Sequence, residues 1–295
     1  MSKTFGTHRA VRALSLEVPR GAVFGLLGPN GAGKTTTLRM VMNVLGPDSG
    51  AIEILGRPSD QGGRDRVGYM PEERGLYPRM AVEEQLVYLA ELKGTPRAEA
   101  QRRVGPWLER LGLSDWRQRK LNELSKGMQQ KAQFIATVLH EPDVLILDEP
   151  MSGLDPVGAD LMRDILLDLS RQGRTLVLSS HQMETVEQMC DAIALIDRGQ
   201  KLLDGTVAEV KRRYGKNTVV LAYEGDGSFL TKVAGVERLS DFGQYVEVRL
   251  TADADPQVLL REAVARLRVS RFEIVEPSLR DIFVAQVTGH GQEAA

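Results

Sequence analysis

A single cysteine, Cys190, and four scattered histidines, at 8, 140, 181 and 290, are all that 295 residues offer for thiol chemistry or soft metal coordination. One cysteine excludes a disulfide within the chain, and the histidines have no zinc-ligand spacing. Cys190 lies in an apolar helical stretch and reads as a core residue. An excess of one charge is also lacking: 38 Lys and Arg against 40 Asp and Glu leave a net charge of −2. That excludes an overall basic footprint, so nucleic acid is not expected as a partner. No apolar run approaches the ~18 residues that cross a bilayer, and no secretory signal opens the chain. The expectation is a cytosolic protein of about two domains, any membrane path belonging to another chain.

What is present begins with Gly28-Pro29-Asn30-Gly31-Ala32-Gly33-Lys34-Thr35, followed by Thr36. Every fixed position of G-x-x-x-x-G-K-[ST] is matched. The apolar run Val23–Leu27 before it predicts a buried strand, and a helix is predicted to start inside the motif and run to Met42. Glycines at 28, 31 and 33 let the backbone turn and bring its N–H groups against a polyphosphate. The helix N-terminus adds positive potential there. Lys34 then meets the β- and γ-phosphates, and the Thr35 hydroxyl ligates Mg²⁺.

Around this motif, strands and helices are predicted to alternate. Strands are expected at Leu14–Val18, Ala51–Leu55, Val67–Pro71, Val144–Leu147, Thr175–Leu178 and Ala192–Ile196, and helices at Val157–Ser170 and Met183–Cys190. Between Ala81 and Ala136 the period is helical, an insertion of roughly 55 residues. Alternation of this kind implies a parallel α/β sheet with ligands at the C-terminal strand ends. Lys211–Lys216 reads as a charged hinge. Beyond it come strands Thr218–Tyr223, Tyr245–Leu250 and Ser270–Val275, a helix Asp255–Leu267, and a last helix opened by Ser278-Leu279-Arg280-Asp281, spaced as a capping box. Nothing in that small α+β part looks catalytic.

Asp143–Pro150 supplies the second half of the chemistry. Asp148 ends the buried strand where a Mg²⁺ ligand is needed. Glu149, one residue further, can reach the water that attacks the γ-phosphate, as general base or orienter.

Taken together with Leu124-Ser125-Lys126-Gly127-Met128-Gln129-Gln130, Ser152-Gly153-Leu154-Asp155-Pro156 and His181, the chain resembles the ATP-binding subunit of an ABC transporter. The heptapeptide resembles the family's L-S-G-G-Q signature, the second stretch its D-loop, and His181 its switch histidine. The resemblance covers about residues 1–210. It implies an α/β P-loop ATPase of ABC type, with a mixed, mostly parallel core sheet, an antiparallel β subdomain and an inserted helical subdomain (about 81–136). The ATPase domain spans 1–215, an α+β accessory domain 216–288, and a tail 289–295. The cofactors implied are ATP and Mg²⁺. Two such subunits pair head to tail, so Ser125, Gly127 and Asp155 serve the partner's nucleotide, while His181 keeps Glu149 and the water aligned and Phe5 stacks on adenine.

Three features depart from the family pattern. Glu72 replaces the loop glutamine that joins Mg²⁺ to the transporter contact. Lys126 and Met128 replace signature glycine and glutamine. A strand of about eight residues usually precedes the segment matched by Ser2–Phe5, so either that strand is absent or the start assigned to this chain is too late. The variant signature, the stretch Pro71–Tyr77 and the ending Glu276–Phe283 resemble an export subgroup that includes sodium and antibiotic efflux subunits. The reading is an ATPase that docks on an integral-membrane permease with a second copy of itself or a homologous subunit. It would lie peripherally on the inner face of the cell membrane. The alternative is a soluble ABC-type ATPase acting on nucleic acid or the ribosome.

Overall fold

The computed structural model describes residues 1–59, 64–73, 75–214, 218–251 and 253–292. Arg74 of the Glu72 loop, the expected boundary at 215/216 and the end of the expected tail lie outside these residues. The chain divides into two compact units, Met1–Gly205 and Thr206–Ala295.

In chain order the first unit contains β1 (Lys3–Phe5), β2 (His8–Val11), β3 (Val23–Leu27), α1 (Lys34–Val41), β4 (Glu53–Ile54), β5 (Arg57–Pro58) and β6 (Val67–Met70). Helices α2 (Val82–Leu92), α3 (Arg97–Arg110) and α4 (Lys126–Val138) follow. Then come β7 (Val144–Asp148), α5 (Pro156–Arg171), β8 (Thr175–Ser180), α6 (Met183–Met189), β9 (Ala192–Asp197) and β10 (Gln200–Thr206).

Six strands form the central sheet in the order β10-β9-β3-β8-β7-β6. Every residue of β3 and β7 is buried, as expected of strands covered on both faces. The parallel register pairs Leu27 with Ser180 and Asp148 with Ser179. One sheet edge therefore carries the phosphate loop after β3, the carboxylates ending β7, and the Ser-Ser-His run ending β8. Glycine allows two close approaches around this frame. A Cβ on Gly68 of β6 would lie 2.4 Å from the Thr137 carbonyl oxygen, so α4 sits tight against that strand. The Ala10 carbonyl oxygen of β2 lies 2.4 Å from where a Cβ on Gly33 would fall and 2.6 Å from one on Gly199.

Helices α2, α3 and α4 occupy the expected insertion, burying Leu86 and Ala90 from α2 and Val104 and Leu108 from α3. The two small sheets, β1-β2 and β4-β5, are antiparallel. One strand expectation fails: Leu14–Val18 is not a strand. Leu14 and Leu16 bury against the core without a ladder, and the strand is His8–Val11, paired with β1. Ala51–Leu55 shortens to β4. Cys190 is buried just after α6, as a core residue.

The second unit contains α7 (Val207–Arg213), β11 (Thr218–Glu224), β12 (Val236–Asp241), β13 (Val246–Leu250), α8 (Pro256–Arg266), β14 (Arg268–Val275) and α9 (Leu279–Gln292). Its sheet, in the order β12-β13-β11-β14, is antiparallel and packs Val219, Leu221 and Val248 with Leu259 and Ala263 of α8. The supposed hinge at Lys211–Arg213 is helical, the last turn of α7, where basic side chains suit the carbonyl end of the helix. Helix α9 opens on the Ser278–Asp281 box, Asp281 N–H donating to Ser278 Oγ (3.2 Å) and Ser278 N–H to Asp281 Oδ2 (3.1 Å). Residues 289–292, expected in a tail, belong to this helix.

Candidate functional site

The loop after β3 is the frame of the site. Gly28, Gly31 and Gly33 have φ of 153°, 80° and 103°, values that strain residues with a Cβ. Their order bends the chain back so that α1 starts at Lys34 with no side chain capping it. Its first N–H groups are left for a ligand. Lys34 is buried and its Nζ donates to the carbonyls of Gly28 (2.7 Å) and Pro29 (3.2 Å). Burial lowers the pKa of this ammonium, opposed by Glu149, Asp148 and Glu72, in that order. A polyphosphate would add further negative charge beside this ammonium and favour its charged form.

At the end of β7, Asp148 is wholly buried; Ser179 Oγ donates to its Oδ1, and its Oδ2 has no partner among the described residues. A buried carboxylate oxygen without a donor is costly unless a cation meets it. The donor set, a serine-braced carboxylate with a helix-start threonine, suits Mg²⁺, which takes few protein ligands and completes its shell with water and phosphate oxygens. No cluster of three or more His, Cys, Asp or Glu able to hold a metal occurs among the described residues, and a nucleotide-bound Mg²⁺ needs none.

Glu149 has a left-handed φ of 50°, held by its N–H donating to Ser179 Oγ (3.1 Å) and by Gln130 Nε2 donating to the carbonyls of Glu149 (3.3 Å) and Pro150 (3.2 Å). This turn swings the carboxylate into the site, with Oε1 3.0 Å from His181 Nδ1 and 3.8 Å from Lys34 Nζ. A carboxylate only accepts, so Nδ1 carries the proton and Nε2 is left for another partner.

Phe5, the loop residues Pro29 to Thr36, Glu72, Glu149 and His181 all line one open cavity of about 450 Å³. Ser152, the first residue of the D-loop-like stretch, lines it too, as do His8 and Ala10, which the sequence reading missed. His8 faces Phe5 across the β1-β2 turn, so a hairpin signal at Phe5-Gly6-Thr7-His8 would have found it. Asp148, wholly buried, does not line the cavity. Ser125, Gly127 and Asp155 do not line it. Ser125 caps α4, accepting from Met128 N–H (3.2 Å), and Asp155 caps α5, accepting from Gly158 N–H (2.6 Å). A Cβ on Gly127 would lie 3.0 Å from the Gly153 carbonyl oxygen. A larger cavity, about 690 Å³, borders the β4-β5 hairpin and is lined mostly by apolar side chains such as Leu16, Phe24 and Ile146.

Residues 11–152 match the ABC transporter family, and residues 205–287 match the family described as ATP-binding protein DrrA1-3-like, C-terminal domain. The uncharacterized ABC transporter ATP-binding protein YhaQ of Bacillus subtilis is 42% identical over 97% of this chain and 96% of its own. Nod factor export ATP-binding protein I of Burkholderia orbicola is 35% identical over 84% of this chain and 81% of its own. A solved ATP binding subunit of an ABC transporter superposes with a TM-score of 0.68 at 31% identity, over 72% of this chain and 90% of its own. With a phosphate loop, an acidic strand end and a histidine gathered on one sheet edge, and relatives matched nearly end to end, the chain belongs to the ATP-binding proteins of ABC transporters, the ATPase subunits of those systems.

Proposed function

We propose that the cavity beside Lys34 is the ATP site of a subunit that powers export through a separate membrane permease. The observation that carries this reading is the Glu149 carboxylate, fixed within reach of both His181 and Lys34 in the cavity that the phosphate loop lines.

In this reading the backbone N–H groups from Asn30 to Thr36 and the Lys34 side chain grip the β- and γ-phosphates, and Phe5 stacks on adenine through its ring face. Glu149 takes a proton from the attacking water, whose oxygen forms the new bond to the γ-phosphorus as the bond to ADP breaks. His181 holds Glu149 through Nδ1 and offers Nε2 to the γ-phosphate. Thr35, Asp148 and Glu72 would hold Mg²⁺, which supplies charge neutralisation on the phosphate oxygens.

Ser125, Gly127 and Asp155 lie outside the cavity of their own protomer, which supports a role on the nucleotide of a second copy or a homologous subunit in a head-to-tail pair. The triphosphate then bridges two helix starts, and hydrolysis removes that bridge and releases the pair. Export is favoured by the Nod factor export relative. No helix among the described residues is long and apolar enough to cross a membrane, which fits a subunit held at the inner membrane face by its permease. Residues 1–215 act as the ATPase domain, and residues 216–288 as an accessory domain that regulates or dimerises.

Glu149→Gln should bind ATP normally, accumulate a nucleotide-bound dimer and lose at least ~100-fold in turnover. Phosphate release and light scattering read the two effects. Normal hydrolysis by this variant would remove Glu149 from the proposed role.

A further inference from the structure

Helix α4 is joined to the site by two glutamines, Gln130 at the end of the signature-like heptapeptide and Gln133 beyond it. Gln130 and Gln133 are three residues apart, so they share a helix face, and both are almost wholly buried, at 2% and 3% exposure. Gln130 donates to the turn that carries Glu149. Gln133 Nε2 donates to the Pro71 carbonyl (2.7 Å) and, at longer range, to that of Glu73 (3.5 Å). Those two carbonyls flank Glu72, whose side chain lines the nucleotide cavity. The close approach of α4 to β6 at Gly68 sets the helix at the height from which Gln133 reaches that loop.

The side chain is an expensive way to hold a helix. Gln133 Oε1 is buried with no partner among the described residues, and a half-satisfied buried amide destabilises compared with an apolar side chain of its size. Its sequence neighbours Ala132, Phe134 and Ile135 are buried and apolar, so α4 is enclosed by apolar packing at this height.

We propose that Gln133 is a positioning residue for Glu72: it fixes the backbone on both sides of Glu72 so that the carboxylate faces the nucleotide, and it makes that carboxylate move with α4. Because α4 begins at Ser125, a nucleotide contact made by its first turn is passed to Glu72 through one side chain. The inference rests on Glu72 belonging to the Mg²⁺ side of the ATP site.

The test compares Gln133→Met, Glu72→Ala and the double variant in the full chain. The Kd of a fluorescent, non-hydrolysable ATP analogue is measured with and without Mg²⁺, beside ATP turnover and Tm. The expectation is that each single variant loses several-fold of the Mg²⁺-dependent tightening. The double variant should lose no more than the worse single one, and Gln133→Met should keep or raise Tm. Should Glu72→Ala alone leave Mg²⁺ dependence unchanged, the reading of Glu72 falls and the proposal with it. Should Glu72→Ala be impaired while Gln133→Met behaves as wild type, or the two losses multiply, the proposal alone is overturned. If Gln133→Met does not fold, Gln133→Asn, whose amide is one methylene short, enters the same cycle.

Discussion

Ser179 and Asp148 face each other across neighbouring parallel strands, and the serine hydroxyl donates to one oxygen of a wholly buried carboxylate whose other oxygen has no partner among the described residues. The same hydroxyl accepts from the Glu149 N–H. Ser179→Ala therefore strands a buried carboxylate and a buried N–H together. It should cost about 1–3 kcal/mol in urea unfolding of the nucleotide-free protein. Asp148→Asn should leave metal-free stability no worse yet abolish Mg²⁺-dependent turnover; full turnover would remove Asp148 from the metal's side of the site.

Glu149 occupies a backbone region that side chains disfavour by about 1–2 kcal/mol. Glu149→Gly relieves that strain and removes a buried carboxylate. The expected result is a protein up to about 1 kcal/mol more stable and without turnover, read by urea midpoint and phosphate release. Loss of stability would mean that the carboxylate's contacts outweigh the strain.

His140 gives a pH dependence of known sign. Burial, followed by the nearby Lys93, pushes its imidazole down to about 4. The folded protein thus holds that proton less well than the unfolded chain, whose histidine titrates near 6.5. Its contribution is complete above pH 6.5 and is lost as pH falls from 6.5 to about 4. Urea midpoints should drop across that window, and His140→Gln should flatten the drop.

In the second unit, Glu247 of β13 has its pKa raised, first by burial and then by Asp281 at the start of α9. A raised carboxylate stabilises below its unfolded value and loses that contribution as pH climbs through the folded value. Glu247→Gln should therefore raise the unfolding midpoint of this unit at pH 7 and have little effect in acid. A variant that is less stable at pH 7 would contradict this.

Strands β3 and β7 were legible because burial on both faces leaves an uninterrupted apolar run. Helices α5 and α8 were legible because Asp155-Pro156 and Asp255-Pro256 pair a cap with a proline in the first turn. Helix α7 was equally readable from Thr206 and Glu209, which form a capping box, but the run of basic residues after it drew the reading towards a hinge. Edge strand β12 has only partly buried or exposed residues and so carries no alternation to detect. In the site, Lys34, Asp148, Glu149 and His181 stand in or beside short motifs. Ser179 and Gln133 act through register and helix packing, which bring distant segments together without leaving a local pattern.

The carbonyl of Ala10 lies in the space that side chains on Gly33 or Gly199 would fill. The strand bearing that carbonyl continues through the turn to Phe5, so the ring proposed for the base and the amides proposed for the phosphates belong to one mechanical piece. Loosening the choice of nucleobase by reshaping the hairpin would also shift the anchor beneath the triphosphate, and a retuned base preference would need compensating changes on the far side of that carbonyl.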